Sequence, residues 1–152
     1  MLGYVVCENN GTTIQNFHPY MDSTLEQLRT VSQNNASSSR REKCISSLRR
    51  LFKESGRHEV VQIALMIIAH QDHWNDDHTL SEAKAMKQKG ITLLVVTIGR
   101  RNFKELHSLR SIATSDDKFF VLPSFEDLKK LASDLSTGSC LRKCLNLSIV
   151  LK

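Results

Sequence analysis

No stretch of this 152-residue chain reaches the roughly 18–20 consecutive apolar residues that a membrane-spanning helix needs. Its four cysteines, Cys7, Cys44, Cys140 and Cys144, form no Cys-x-x-Cys pair, which argues against zinc and thioredoxin-type chemistry. No Gly-x-Ser-x-Gly elbow, Walker loop or Gly-x-Gly-x-x-Gly is present, and the histidines lack an evident nucleophile partner. The chain is therefore not expected to be an enzyme. Aromatic residues make up only 6% and do not interleave with basic ones, so no nucleic-acid fingerprint exists. The opening Met1-Leu2-Gly3-Tyr4-Val5-Val6-Cys7 has neither a basic n-region nor a small-residue cleavage pattern. It reads as a strand, not a signal peptide.

What is there is ordinary globular composition, 40% hydrophobic and 24% charged, in a length that suits one domain with a real core. The net charge is +5, with basic pairs at Arg40-Arg41, Arg49-Arg50, Arg100-Arg101 and Lys129-Lys130. These read as solvated helix faces, with a weak polyanion surface as the second reading. Cys7 falls on a strand and Cys44 on the apolar face of a helix, where thiols behave as small hydrophobes. Asn10-Gly11-Thr12, Asn35-Ala36-Ser37 and Asn146-Leu147-Ser148 are glycosylation sequons, which makes Asn10, Asn35 and Asn146 candidate acceptors. Two of them fall in loops, which leans toward a secreted origin.

Two apolar runs decide the architecture. Val60–Ala69 runs almost unbroken toward Asp72, and Ile91–Ile98 is stopped by Gly99. Alternation would mean one wet face; continuous apolarity means helices cover both faces of a parallel sheet. A carboxylate just past such a strand lies where open α/β sheets bind ligands. Around these runs, Leu2–Glu8 and Thr12–Phe17 read as a hairpin turning at Asn9-Asn10-Gly11. Helices are expected with Leu25, Leu28 and Val31 inward after a cap at Asp22 or Ser23, and with Cys44, Ile45, Leu48, Leu51 and Phe52 inward up to Gly56. A third covers Thr79–Lys89 and ends at Gly90, a good C′ glycine. A fourth presents Phe103, Leu106, Leu109 and Ile112, and a last one, capped by Ser124, presents Phe125, Leu128, Leu131 and Leu135 up to Gly138. Lys118–Leu122 is a short strand cut by Pro123. The expected fold is α/β: a mainly parallel sheet, one antiparallel edge strand from the hairpin, and helices on both faces.

This order, with its sequence details, resembles the von Willebrand factor A domain. Leu2-Gly3-Tyr4-Val5-Val6 looks like the family's second strand and Thr12–Phe17 like its third. Arg49-Arg50-Leu51-Phe52 with Gly56-Arg57 resembles the end of the helix before the fourth strand. Gln71-Asp72-His73 falls where the family has Thr-Asp-Gly, and Asp77 matches an acidic residue shortly after it. Gly90–Gly99 is very like the fifth strand, and Phe119-Phe120-Val121-Leu122 with Phe125-Glu126-Asp127-Leu128 resembles the sixth strand and last helix. Cys140 matches a cysteine that closes such domains. The resemblance divides the chain into a truncated A-type domain, 1–140, and a tail, 141–152, and is strongest to the extracellular matrix type, such as collagen VI chains and matrilins.

The resemblance implies an incomplete, Rossmann-like fold and an incomplete adhesion site. The family's first strand carries Asp-x-Ser-x-Ser, which holds a divalent cation, and no such segment precedes Leu2. Asp72 supplies the family's later aspartate, and Ser38 or Ser39 stands in for its loop threonine. One carboxylate and a hydroxyl make a poor Mg²⁺ site, so no cofactor is expected beyond weak Mg²⁺ binding. Without a first strand, Leu2–Cys7 and Val60–Ala69 must either pair directly or expose edges. The loop His70–His78 holds three histidines, three aspartates and Trp74. It reads as an exposed loop, with a transition-metal site as the alternative. Trp74 is either a partner anchor or packed on its own loop. The implied function is matrix-protein binding or adhesion, with collagens as partners and the extracellular matrix as location. The alternative is a truncated fragment without binding activity of its own.

Overall fold

The computed structural model describes residues 2–8, 11–18, 41–55, 61–69, 77–128, 130–131 and 147–151. Their strands are β1 (Leu2–Glu8), β2 (Gly11–His18), β3 (Ile63–Ile68), β4 (Thr92–Ile98), β5 (Phe119–Leu122) and β6 (Leu147–Leu151). The helices are α1 (Arg41–Ser55), α2 (Asp77–Gln88) and α3 (Phe103–Ile112). The strands form one six-stranded sheet in the order β2-β1-β6-β3-β4-β5. Every neighbouring pair is parallel except the β1–β2 hairpin, whose register runs from Leu2↔His18 to Glu8↔Gly11.

Continuous apolarity in β3 and β4 has the expected cause. Ala64, Met66 and Ile68 face one way with Leu93 and Val95, beneath Leu48 of α1, Met86 of α2 and Leu109 of α3. Ile67, Val96 and Ile98 face the other way, covered by Leu128 and Leu131, which lie in helical turns after β5. Residue-by-residue alternation thus serves two cores, and only Leu65 and Thr92 on these strands are less than fully buried.

The helices obey their end signals. α2 stops in a Schellman arrangement: Ile91 N donates to Met86 O at 3.2 Å and Gly90 N to Lys87 O at 2.9 Å. Gly90 takes φ +79°, the left-handed conformation that the motif requires. α3 opens on a capping box: Glu105 N donates to Asn102 Oδ1 at 2.9 Å, and Asn102 N to Glu105 Oε2 at 3.4 Å. At its other end, Lys87 Nζ donates to Ser111 O at 2.9 Å and Ala113 O at 3.2 Å. That placement suits a cation at a helix C-terminus, while partial burial pulls the Lys87 pKa down. Arg49 of α1 reaches Glu82 of α2 at 2.7 Å, tying the two helices across their shared face.

Several expectations need correction. The third strand starts at Ile63, not Val60, because its ladder with β4 begins at Ile63↔Thr92 and Val61 is 50% exposed. Phe103 is 86% exposed. It sits in the first turn of α3, before the buried stripe of Leu109 and Ile112 begins. Phe125 is 53% exposed, because the chain is still bending there and turns helical only at 127. Cys44 is fully buried as expected, but it is disulfide-bonded, not a free thiol. The expected helix around Leu25, Leu28 and Val31, and Leu135 and Gly138, lie outside the described residues.

The largest difference concerns the tail. Leu147–Leu151 is a strand, and it lies between β1 and β3. It pairs in parallel with β1 from Gly3↔Ser148 to Val6↔Leu151, and with β3 from Ile63↔Leu147 to Met66↔Val150. β1 and β3 therefore neither pair directly nor face each other with open edges; a segment from the far end of the sequence joins them.

Truncating a buried side chain removes its transfer energy and leaves a cavity, so Met66→Ala is expected to cost about 2–5 kcal/mol. Phe103→Ala is expected to change stability by less than about 0.5 kcal/mol, as for other exposed positions. Equilibrium urea unfolding of both variants checks the pair, and a large loss at Phe103 would contradict its placement.

Candidate functional site

Because β1, β6, β3, β4 and β5 run parallel, their C-terminal ends share one edge. That edge is where an open α/β sheet presents a ligand site. Its described centre is Arg101. β4 ends at Ile98, and Gly99, with φ +86°, bends the chain while its N–H donates to Leu122 O of β5 at 2.9 Å. The bend brings Arg101 back across the strand ends. Its Nε donates to Thr97 Oγ1 at 2.9 Å, and its Nη2 to Ile68 O at 3.1 Å and Ile98 O at 3.3 Å.

The arrangement explains a polar residue inside an apolar strand. Thr97 is completely buried, and its hydroxyl receives the guanidinium. The last carbonyls of β3 and β4, which no further ladder serves, are taken by the same side chain. Arg101 so bridges β3 and β4 with several donors in one rigid plane. Desolvation pulls its pKa down and the Glu105 carboxylate pulls it up. A guanidinium stays charged under either influence. The result is a fixed positive charge at the sheet's ligand edge.

The sequence-based site residues are not brought together here. Asp72, Ser38 and Ser39 lie outside the described residues, as do Trp74, His70, His73 and the sequon asparagines Asn10, Asn35 and Asn146. Asp77 and His78 open α2 and are exposed. Of the basic pairs, Arg49 is committed to Glu82, Arg50 lies 3.9 Å from Glu54 on its own helix, and Arg101 belongs to no helix face. Sequence reasoning missed Arg101 as a site residue. The readable signal was a threonine near the end of an apolar run, followed by glycine and then a second arginine.

The family that the sequence resembles holds a divalent cation through carboxylate and hydroxyl groups following its central strand. The central strand here is β6, Leu-Ser-Ile-Val-Leu, which carries no carboxylate. Among the described residues no group of three or more His, Cys, Asp or Glu is placed to hold a metal ion. Arg101 adds charge of the same sign as a cation. The described residues therefore do not fit a divalent cation.

Replacing Arg101 by methionine keeps the side-chain length and removes its donors. Leaving two strand-end carbonyls and a buried hydroxyl without this partner is expected to cost about 1–3 kcal/mol. Arg101→Lys is expected to recover only part, since one ammonium cannot reproduce the planar fork. Urea unfolding of both variants measures the difference, and an unchanged midpoint for Arg101→Met would contradict the bridging role.

Comparison with known proteins agrees with this edge-and-sheet geometry. The von Willebrand factor type A domain family matches residues 7–134. The collagen alpha-6(VI) chain of Mus musculus is 32% identical over 83 residues, 55% of this chain and 4% of that protein. Its Homo sapiens counterpart is 35% identical over 81 residues, 53% of this chain and 3% of that protein. The chain thus spans only a small part of these relatives' length. Among solved structures, proximal thread matrix protein 1 from the mussel byssus superposes with TM-score 0.67 at 17% identity, over 85% of this chain and 34% of that one. A form of the same protein with a zinc-occupied MIDAS motif gives TM-score 0.70 at 17% identity, over 91% and 34%. These likenesses carry the fold, and the family match covers most of the sequence: the chain belongs to the von Willebrand factor type A domain family.

Proposed function

We propose that the chain is an extracellular matrix protein-binding module of the A type, one unit of a collagen VI-like chain, that meets its partner without a bridging cation. The observation that supports the metal-independent reading is Arg101, a guanidinium fixed on the C-terminal ends of β3 and β4. The collagen VI relatives support the matrix assignment. The Cys44 disulfide supports an oxidising, extracellular compartment. Among the described residues no helix is long and apolar enough to cross a membrane. Partners are matrix proteins such as collagens, with polyanions as weak secondary ligands of the basic surface. Nothing in the sequence supports catalysis, and we assign no enzymatic step. Asp72 with Ser38 or Ser39 is at most a remnant site with weak affinity for Mg²⁺, and Asn10, Asn35 and Asn146 are candidate glycan acceptors.

Binding to immobilised collagens, measured by surface plasmon resonance in Mg²⁺ and again in EDTA, tests the reading. The expected outcome is saturable binding with the same affinity in both buffers, unaltered by Asp72→Ala. Loss of binding in EDTA, or on Asp72→Ala, would show a working cation site and overturn the metal-independent account. No binding under either condition would favour the alternative, a fragment without binding activity of its own.

A further inference from the structure

The middle of the sheet is a slot with two walls. One wall is Gly3–Val6 of β1 and the other is Ile63–Met66 of β3, and β6 meets both through parallel main-chain ladders. Without an occupant, both walls would present rows of N–H and C=O groups inside the sheet, which is the most costly place for them. The slot therefore demands a strand. The demand is for backbone in the right register, and a second copy of the chain offers the same backbone as the first.

Two further observations separate the occupant from the rest of the fold. The family match ends at residue 134, so β6 lies beyond the part of the chain that carries the domain's own pattern. The β6 ladders also join residues 3–6 to residues 148–151, nearly the full length of the sequence apart. Such a contact carries a large loop-closure cost.

We propose that the β1–β3 slot is a strand-acceptor site, and that two copies of this chain exchange their Leu147–Leu151 strands to form a reciprocal dimer. The exchange makes no new kind of contact; each slot keeps the same ladders, supplied by the other copy. Its balance is set by concentration. The strand's own slot competes for it intramolecularly, so the dimer share rises with protein concentration. Once formed it persists on dilution, because release requires opening the centre of the sheet.

The full chain is refolded from denaturant at about 10 μM and at about 1 mM, the second in the range where pairing between chains competes with pairing within one. Both samples are then diluted to equal concentration and sized by light scattering. The expected result is a dimer share several-fold larger in the concentrated sample that survives dilution. To place the contact, an isotopically light Gly3→Cys chain is refolded with a heavy Ser148→Cys chain, and disulfide-linked peptides are read by mass spectrometry. Light–heavy links between positions 3 and 148, enriched in the dimer fraction, support exchange. A synthetic peptide of residues 145–152, added during refolding, is expected to be retained by the full chain and to lower the dimer share; the same peptide with proline at position 149 is expected to do neither. A monomer at both concentrations, or a dimer without light–heavy links at these positions, would overturn the proposal.

Discussion

Everything in this sheet depends on how its middle is closed. β1 and β2 form an antiparallel hairpin, β3, β4 and β5 form a parallel group, and Leu147–Leu151 is the strand hydrogen-bonded to both. Besides these ladders, α1 spans the two groups, packing on β1 and β2 and carrying residues into the core beneath α2. Each main-chain hydrogen bond contributes only about 0.5–1.5 kcal/mol net, but leaving its partners buried and unpaired costs more than the bond gains. In a domain whose total stability is about 5–15 kcal/mol, the two ladders of β6 separate a folded sheet from two halves with sticky edges.

The same substitution shapes the ligand edge. In the family pattern, the central strand delivers acidic and hydroxyl groups to the strand ends. A strand reading Leu-Ser-Ile-Val-Leu delivers backbone continuity and no carboxylate. Arg101 meanwhile satisfies the ends of β3 and β4 directly, taking Ile68 O and Ile98 O with one guanidinium anchored on buried Thr97. The chain keeps the family's sheet, and among the described residues a cationic side chain organises the strand-end edge of β3 and β4.

Much of this was legible in the sequence, for local reasons. The apolar runs through Leu65 and Val95 needed two covered faces, and both faces are covered. Gly90 lay where a helix must end with positive φ, and it does. What escaped was nonlocal. Leu147–Leu151 is too short to show periodicity, and its partners lie at the opposite end of the chain, so nothing nearby distinguishes a central strand from a loose tail. Phe103 continues the spacing of Leu106 and Leu109, but periodicity does not reveal that its turn precedes the buried stripe. Arg101 was hidden by its neighbour: in Arg100-Arg101 composition suggests a solvated pair, and only the bend at Gly99 turns one of them onto the strand ends. Asp72, Ser38 and Ser39 lie outside the described residues, so the remnant-site reading rests on sequence alone.

The central claim is that Leu147–Leu151 is the middle strand of the sheet, and nuclear magnetic resonance of the labelled full chain tests it most directly. The account predicts nuclear Overhauser contacts from the β6 backbone to both walls, around Gly3 and Ser148 on one side and Ala64 and Ser148 on the other. It also predicts amide protection for residues 147–151 equal to that of β3 and β4, because the strand opens only when the sheet does. Amides at 147–151 that exchange at the rate of free peptide, with contacts running directly between β1 and β3, would contradict it.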